Sequence, residues 1–139
     1  QRPHAPQVGG CRGEPRLLAV LDWELSTLGH PLADLAYQCM QLRMPGGQGF
    51  TPGLAGVDRK TLGIPEESAY VARYCERTGL AHIGDWSFCL AFSFFRLAAI
   101  AQGVAKRAVD GNASNARAAE LGRWVEPLAV MALSVIGEA

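Results

Sequence analysis

Apolar residues recur along this chain at spacings that change from strand-like to helical. Residues 17–21 form a short, continuous apolar run, which predicts a buried strand. From Pro31 onward, apolar residues recur every three or four positions, so a helix is predicted to begin there and to end before Pro45. Three further helices are predicted at residues 66–78, at residues 86 to about 109 and at residues 114–136.

The connecting segments contain residues that end or bend helices. Residues 45–65 hold six glycines and three prolines, which predicts a long irregular loop. Gly79 follows the second helix, where glycine commonly ends one. Pro127 lacks a backbone N–H group and should kink or split the fourth helix. The third helix is apolar almost all round, so we expect it at the centre of the fold.

Composition and charge argue against several classes of protein, including nucleic-acid-binding and membrane proteins. A chain of 139 residues with 49% hydrophobic residues can bury a core, as one domain or as a piece of a larger one. Its 13 basic and 13 acidic residues cancel, which leaves no electrostatic footprint for nucleic acid or an anionic membrane surface. The apolar run at residues 88–104 is interrupted by polar residues and is shorter than the roughly 20 that span a membrane. We therefore expect a buried helix of a soluble fold, with neither nucleic acid nor a membrane as partner.

The cysteines indicate the cellular compartment, and residues 1–16 indicate where the domain begins. The four cysteines form no C-x-x-C pair and no zinc-ligand spacing with histidine, which favours a reduced, cytoplasmic protein. Residues 1–16 hold three prolines, three glycines and three arginines without an apolar core, so they do not resemble a signal peptide. They are interpreted as an irregular leader, either native or derived from a gene boundary. The domain itself is expected to span residues 17–139.

The acidic cluster after the predicted strand is the main candidate for chemistry. Asp22 is either a magnesium ligand presented at the strand exit or an aspartate that caps a turn. Glu24 either shares that ion or is solvated. Asp34 lies in the first turn of the next helix, where a carboxylate is favoured by the helix dipole, so a structural role is preferred over one that braces a neighbouring loop. His30 could act as a base, but it has no evident nucleophile beside it and is interpreted as a turn residue.

The third predicted helix raises two expectations about side chains. Phe88, Phe92 and Phe95 recur at helical spacing and are predicted to belong to the core rather than to a cofactor site. Arg96 lies on the same apolar helix, so its charge needs a partner or contact with solvent. We predict that the partner is a carboxylate in a structural ion pair.

The stretch from Ala19 to Ala36 resembles the aminoglycoside phosphotransferase and choline kinase family, small-molecule relatives of the protein kinases. That family carries a strand, then D-[WF]-E, then G-x-P-x-x-D-L-A. This chain reads Leu21-Asp22-Trp23-Glu24, followed by Gly29-His30-Pro31-Leu32-Ala33-Asp34-Leu35-Ala36. Weaker matches continue in order to about residue 137 and are similar to the branch that includes the kinase-like region fused to some acyl-CoA dehydrogenases.

The resemblance implies a fold and a site. The fold is the mainly α, helical C-terminal lobe of a protein-kinase-like domain, with one short N-terminal strand. Asp22 matches the aspartate that holds Mg²⁺ on the phosphates of ATP, and Glu24 is the second candidate metal ligand. Gly29 and Pro31 match residues that support the active site, and Asp34 matches a buried aspartate that supports the catalytic loop.

The chain also departs from the family pattern. Family members carry H-G-D-x-x-x-x-N shortly before the strand, but Asp22 is the first aspartate here and Asn112 is the first asparagine. The resemblance therefore implies that the catalytic base and the nucleotide-binding lobe are not in this sequence. We expect the C-terminal portion of an ATP-dependent phosphotransferase for a small-molecule hydroxyl, of hydroxyacyl type, that is inactive alone and self-associates through exposed lobe surface. The alternative is a non-catalytic helical module that binds an acyl-type ligand or another protein.

Overall fold

The computed structural model describes residues 18–19, 28–46, 53–112 and 118–137. Over these residues the chain is mainly helical. Four α helices are found there, α1 (Leu32–Arg43), α2 (Glu67–Thr78), α3 (Trp86–Val109) and α4 (Val125–Gly137), and a 3-10 helix spans Ala118–Trp124. The helical fold expected from the sequence is confirmed.

The first helix has the predicted limits. Pro31 caps its N-terminal end with a φ of −64°, the value that the proline ring favours. Met44 is extended and ends the helix immediately before Pro45, as predicted. Pro45 forms an isolated parallel bridge with Ala55, which is the only β pairing in the part of the chain that the structure describes. Most of the strand predicted at residues 17–21 lies outside the described residues; Leu18 and Ala19 are exposed and belong to no strand.

The second helix ends as its sequence indicates. Gly79 has a φ of 72°, a left-handed conformation in which glycine avoids the steric cost of a Cβ atom. The backbone N–H groups of Gly79 and Leu80 both donate to the carbonyl of Cys75. These bonds satisfy a carbonyl that the helix itself leaves without a partner.

The fourth predicted helix is split, but not at Pro127. The 3-10 helix gives way to α4 at Val125, two residues before the proline. Pro127 thus lies in the first turn of α4, where a missing backbone N–H costs nothing because that position has no intrahelical acceptor. Residues 113–117, the predicted start of this helix, lie outside the described part.

The core is built around α3, which packs against α1, the 3-10 helix and α4. Leu90, Phe94 and Leu97 of α3 are buried against α1 and α4. Burial of each such side chain contributes about 1.5–3 kcal/mol. The opposing residues of the core are Leu35, Ala36, Cys39, Met40 and Met44 from the α1 segment and Leu128 and Val135 from α4.

One side of α3 is open, which corrects a prediction. Phe88, Phe92 and Phe95 are 66%, 44% and 62% exposed, so the expectation that they belong to the core is wrong. Their spacing places them on one face of α3, where they line a surface groove beside α4 and stay exposed. By length and composition α3 would also suit a membrane span, which is weak evidence because the core helices of compact folds share these properties.

Arg96 also has a different partner from the one predicted. Its guanidinium carbon lies 4.4 Å from the ring centroid of Tyr37 on α1. This is a cation–π contact, which allows a cation to lie on an apolar helix without a carboxylate. The predicted ion pair is not found among the described residues.

Candidate functional site

The G-x-P-x-x-D segment of the motif, from Gly29 to Asp34, forms the exposed N-terminal end of α1. Gly29, His30 and Pro31 form a turn, and the backbone N–H of Ala33 donates to the carbonyl of His30 at 3.0 Å. The His30 Nδ1 atom accepts a hydrogen bond from the Leu32 N–H at 3.3 Å. The side chain therefore satisfies a donor that every helix start leaves without an intrahelical partner, consistent with the prediction of a turn histidine.

Asp34 lies in the first turn of α1, as predicted, but it is exposed. The resemblance implies a buried aspartate at this position, so its surroundings differ here from that expectation. The carboxylate is well placed to interact with the positive end of the helix dipole. Its support of a catalytic loop stays a prediction.

The proposed metal ligands are not among the described residues. Asp22 and Glu24 both lie outside them, so their geometry is not defined. Within the described segments, no group of three or more His, Cys, Asp or Glu side chains could hold a metal ion. The magnesium site predicted from the sequence therefore rests on the motif alone.

A polar cluster that the sequence did not predict joins three helices. Arg43, at the end of α1, donates from Nε to Glu67 Oε2 at 2.7 Å and from Nη2 to Glu67 Oε1 at 2.9 Å. Trp86, the first residue of α3, donates from Nε1 to the same Oε1 atom at 2.9 Å. Glu67 lies in the first turn of α2. One carboxylate thus accepts hydrogen bonds from the ends of two other helices; we call these three residues the Glu67 cluster.

The Glu67 cluster keeps its carboxylate ionised. Burial by itself would raise the pKa of Glu67, but the hydrogen bonds from Arg43 and Trp86, together with the positive charge of Arg43, outweigh that effect and hold the pKa below its usual value. A carboxylate with these bonds is a poor general base, because protonation would weaken bonds that connect the helices. We assign it a structural role.

The neighbouring thiol is unreactive for a related reason. Burial raises the pKa of Cys39 to about 11, and the negative charge of Glu67 adds to this effect. The thiolate is the nucleophilic form, so Cys39 is inert near neutral pH. Cys39 is a buried free cysteine and packs in the core like a small apolar residue.

A groove lies between α2 and the segment that leads into α3. Its volume is about 620 Å³, within the range of small-molecule sites. Val71, Ile83 and Trp86 supply apolar surface, and Glu76 and His82 supply polar groups at the edge. His82 is exposed. The groove can accommodate a ligand, but the described residues around it contain no nucleophile paired with a base.

The Glu67 cluster was missed because its members are far apart in sequence. Arg43 is 24 residues from Glu67, and Trp86 is 19 residues from it. The available signal was weak: an arginine ends one helix, a glutamate begins another and a tryptophan begins a third. Only packing of the three helix ends brings these groups together.

Comparisons with known proteins agree with the fold and with the motif. The phosphotransferase enzyme family matches residues 11–87, which include both motif segments. A crystal structure of a Ralstonia eutropha protein assigned by name to the aminoglycoside phosphotransferases is 52% identical, with a TM-score of 0.82. The match covers 91% of this chain and 38% of that one.

Two curated relatives carry names from another enzyme class. Mouse acyl-CoA dehydrogenase family member 10 is 47% identical over 116 residues, and human member 11 is 40% identical over 124 residues. These matches cover 84% and 88% of this chain, but only 11% and 16% of the relatives' own lengths. The family match spans more than half of the chain, and the similar structure has the same helical arrangement. The chain therefore belongs to the phosphotransferase enzyme family and has the kinase-like fold of an aminoglycoside phosphotransferase.

Proposed function

We propose that this chain forms the C-terminal part of an ATP-dependent phosphotransferase that transfers the γ-phosphate of ATP to a hydroxyl group of a small molecule. The family match over residues 11–87 is the observation that carries this proposal, because it includes the acidic motif and the turn that follows it. The chain spans about two fifths of the similar solved structure, so the activity belongs to a larger assembly of residues.

Within that reaction, Asp22 would hold magnesium on the ATP phosphates, and Glu24 would assist directly or through water. Carboxylate oxygens suit Mg²⁺, which is usually bound by one or two carboxylates together with substrate phosphates. The ion would neutralise charge on the transferring group, and neutralisation with positioning supplies most of the catalysis in phosphoryl transfer. Gly29, Pro31 and Asp34 would fix the turn that follows the ligands.

The acceptor is proposed to be a hydroxyacyl compound rather than an antibiotic. Support comes from the relatives named for acyl-CoA dehydrogenases, in which a segment similar to this chain is part of a much longer protein. A domain joined to a dehydrogenase of acyl thioesters would act on a related thioester or acid.

We further propose that these 139 residues do not turn over ATP alone. The sequence before Asp22 contains no aspartate to orient the attacking hydroxyl and no asparagine to hold a second metal ion. Among the described residues, the part-buried carboxylate of Glu67 is already bonded to Arg43 and Trp86.

The first experiment measures ATP consumption by the purified chain with Mg²⁺ and a hydroxyacyl-CoA. The matched controls are the same acyl-CoA without its hydroxyl group and an aminoglycoside. No turnover above background is expected. Turnover that requires Mg²⁺ would contradict the proposed inactivity, and thermal stabilisation by acyl-CoA with no nucleotide effect would support the non-catalytic helical module instead.

The second experiment tests the role of Asp22 in a complete domain. This chain replaces the homologous segment of the Ralstonia eutropha protein, and phosphoryl transfer to hydroxyacyl acceptors is measured in the chimera. Asp22→Asn should reduce kcat by roughly 10²-fold or more, because a preorganised charge that stabilises the transition state is lost. Asp58→Asn, which changes an exposed loop aspartate, is the control and should leave kcat unchanged. Equal kcat values for the two variants would contradict a role of Asp22 in catalysis.

A further inference from the structure

An apolar groove runs along the outside of the fold between α3 and α4. Its walls are Phe88, Phe92 and Phe95 on one side and Leu133 and Ile136 on the other, and its floor consists of alanines from both helices. The groove has a volume of about 400 Å³, and none of the described residues that line it is charged. We call this surface the α3–α4 groove.

The aromatic wall is a regular ridge. The rings of Phe88 and Phe92 are stacked with centroids 6.2 Å apart, and those of Phe92 and Phe95 follow at 6.5 Å. The three phenylalanines are 44–66% exposed, and Leu133 and Ile136 are 70% and 54% exposed. Single exposed apolar residues are common on proteins, whereas a continuous patch of this kind is often functional.

We propose that a second copy of this chain covers the α3–α4 groove in a two-fold symmetric dimer. In such a dimer the same surface is used by both copies, so the surface must complement itself. The groove meets this requirement because a projecting phenylalanine ridge lies directly beside a floor of small alanines. The ridge of each copy would enter the alanine floor of the other.

Charge does not oppose this association. Within the described part of the chain the groove is lined by uncharged residues, and the whole chain has a formal net charge of zero. Arg96, next to Phe95 in sequence, contacts Tyr37 of α1 and does not line the groove. Two copies can therefore approach through this face without burying an unpaired charge.

The area is sufficient for a weak dimer. A phenylalanine side chain has about 200 Å² of surface, so the exposed parts of the three rings amount to roughly 300 Å². Leu133 and Ile136 bring the apolar patch to roughly 500 Å² per copy, the upper end of what monomers commonly expose. Two such patches together would bury roughly 1,000 Å², which is the lower limit for a specific interface. We therefore expect a reversible dimer rather than a permanent one.

The test is the mass of the full chain in solution as a function of concentration. Sedimentation equilibrium should show a mass that rises from the 14.9 kDa monomer and levels off near about 30 kDa. Phe95→Glu and Leu133→Glu each place a charge in one wall of the groove, so each should weaken dimerisation at least tenfold. Ile100→Glu is the matched control: it changes an apolar α3 residue that is 43% exposed and lies about 110° around the helix from the ridge.

A second measurement does not depend on variants. Hydrogen exchange of the wild-type chain, followed by mass spectrometry, should show protection that increases with concentration in peptides from residues 86–98 and 128–136. A monomer at every concentration, a mass that increases without a plateau, or equal weakening by Ile100→Glu would overturn the proposal. A monomer would instead indicate that another part of a larger phosphotransferase domain covers this face.

Discussion

Replacement of Glu67 by glutamine tests the idea that one carboxylate joins three helices. The change keeps the shape of the side chain but removes its charge, and it replaces one acceptor oxygen by an NH₂ group that faces the Arg43 guanidinium. The two bonds from Arg43 to Glu67, at 2.7 Å and 2.9 Å, are charge-assisted. The Trp86 Nε1–H group would then donate to a neutral amide oxygen at best, instead of to a carboxylate.

The expected loss of unfolding free energy is about 2 kcal/mol. Hydrogen bonds to charged groups contribute about 1.5–3 kcal/mol, whereas the loss of one partner from a fully buried ion pair costs about 3–5 kcal/mol. The side chains of Arg43 and Glu67 are 32% and 18% exposed, so solvent screening favours the lower range. For a chain of this length, 2 kcal/mol corresponds to a decrease in Tm of about 6 °C.

The same substitution should change the response to acid. The pKa of Glu67 in the folded state lies below its usual value of 4.5, so folding favours the ionised form. The resulting stability is fully present above pH 4.5 and is lost as the pH falls through the lower folded-state pKa. As the pH falls from neutral to that acidic range, the unfolding free energy of Glu67→Gln should therefore decrease less than that of the wild type.

The assay is urea unfolding followed by far-UV circular dichroism, at pH 7 and at several pH values below 5. Glu66→Gln is the matched control, because Glu66 is the adjacent residue, is 65% exposed and pairs with Arg59 in the preceding loop. An exposed pair of this kind contributes at most about 1 kcal/mol. If Glu67→Gln loses no more stability than Glu66→Gln, the structural role of the Glu67 cluster is refuted.

Three further predictions concern the helix end, the core and the buried thiol. Gly79→Ala should cost about 1 kcal/mol in urea unfolding because its φ is 72°, whereas Gly84→Ala, at a glycine with open space and no positive φ, should cost much less. Leu97→Ala should cost about 2–5 kcal/mol because the side chain is buried in the core, and Ile100→Ala on the same helix should cost under about 1 kcal/mol; equal losses would contradict the placement of α3. Cys39 should resist alkylation by iodoacetamide at pH 8 in the native chain and react in urea, as measured by peptide mass spectrometry, since burial raises its pKa to about 11. Rapid native alkylation of this cysteine would contradict its burial.

The helices were predictable because their signals are local. The periodicity of apolar residues, Pro31 at one helix start and Gly79 at a helix end each act within one or two turns of chain. The bounds of α3 agree with the prediction, whereas the break before α4 was placed at Pro127 and occurs at Val125. A proline is compatible with a first helical turn as well as with a break, and sequence alone did not distinguish these positions.

The candidate site was only partly predictable. The motif around Asp22 and Asp34 indicated the phosphotransferase family, which the comparisons confirm over residues 11–87. The same motif did not show that Asp34 would be exposed. The Glu67 cluster was not predicted at all, because its bonds join residues from three separate helices.

The sequence by itself therefore determined the helical elements, the ends of α1, α2 and α3, and the family. Each follows from residues that are close together in the chain, where backbone preferences and side-chain spacing act directly. Only the tertiary structure decided which helix faces are covered. Phe94 is buried, whereas Phe88, Phe92 and Phe95 on the same helix are exposed, although all four are phenylalanine. The physical reason is that burial depends on which other elements pack against a face, and those elements come from distant parts of the chain.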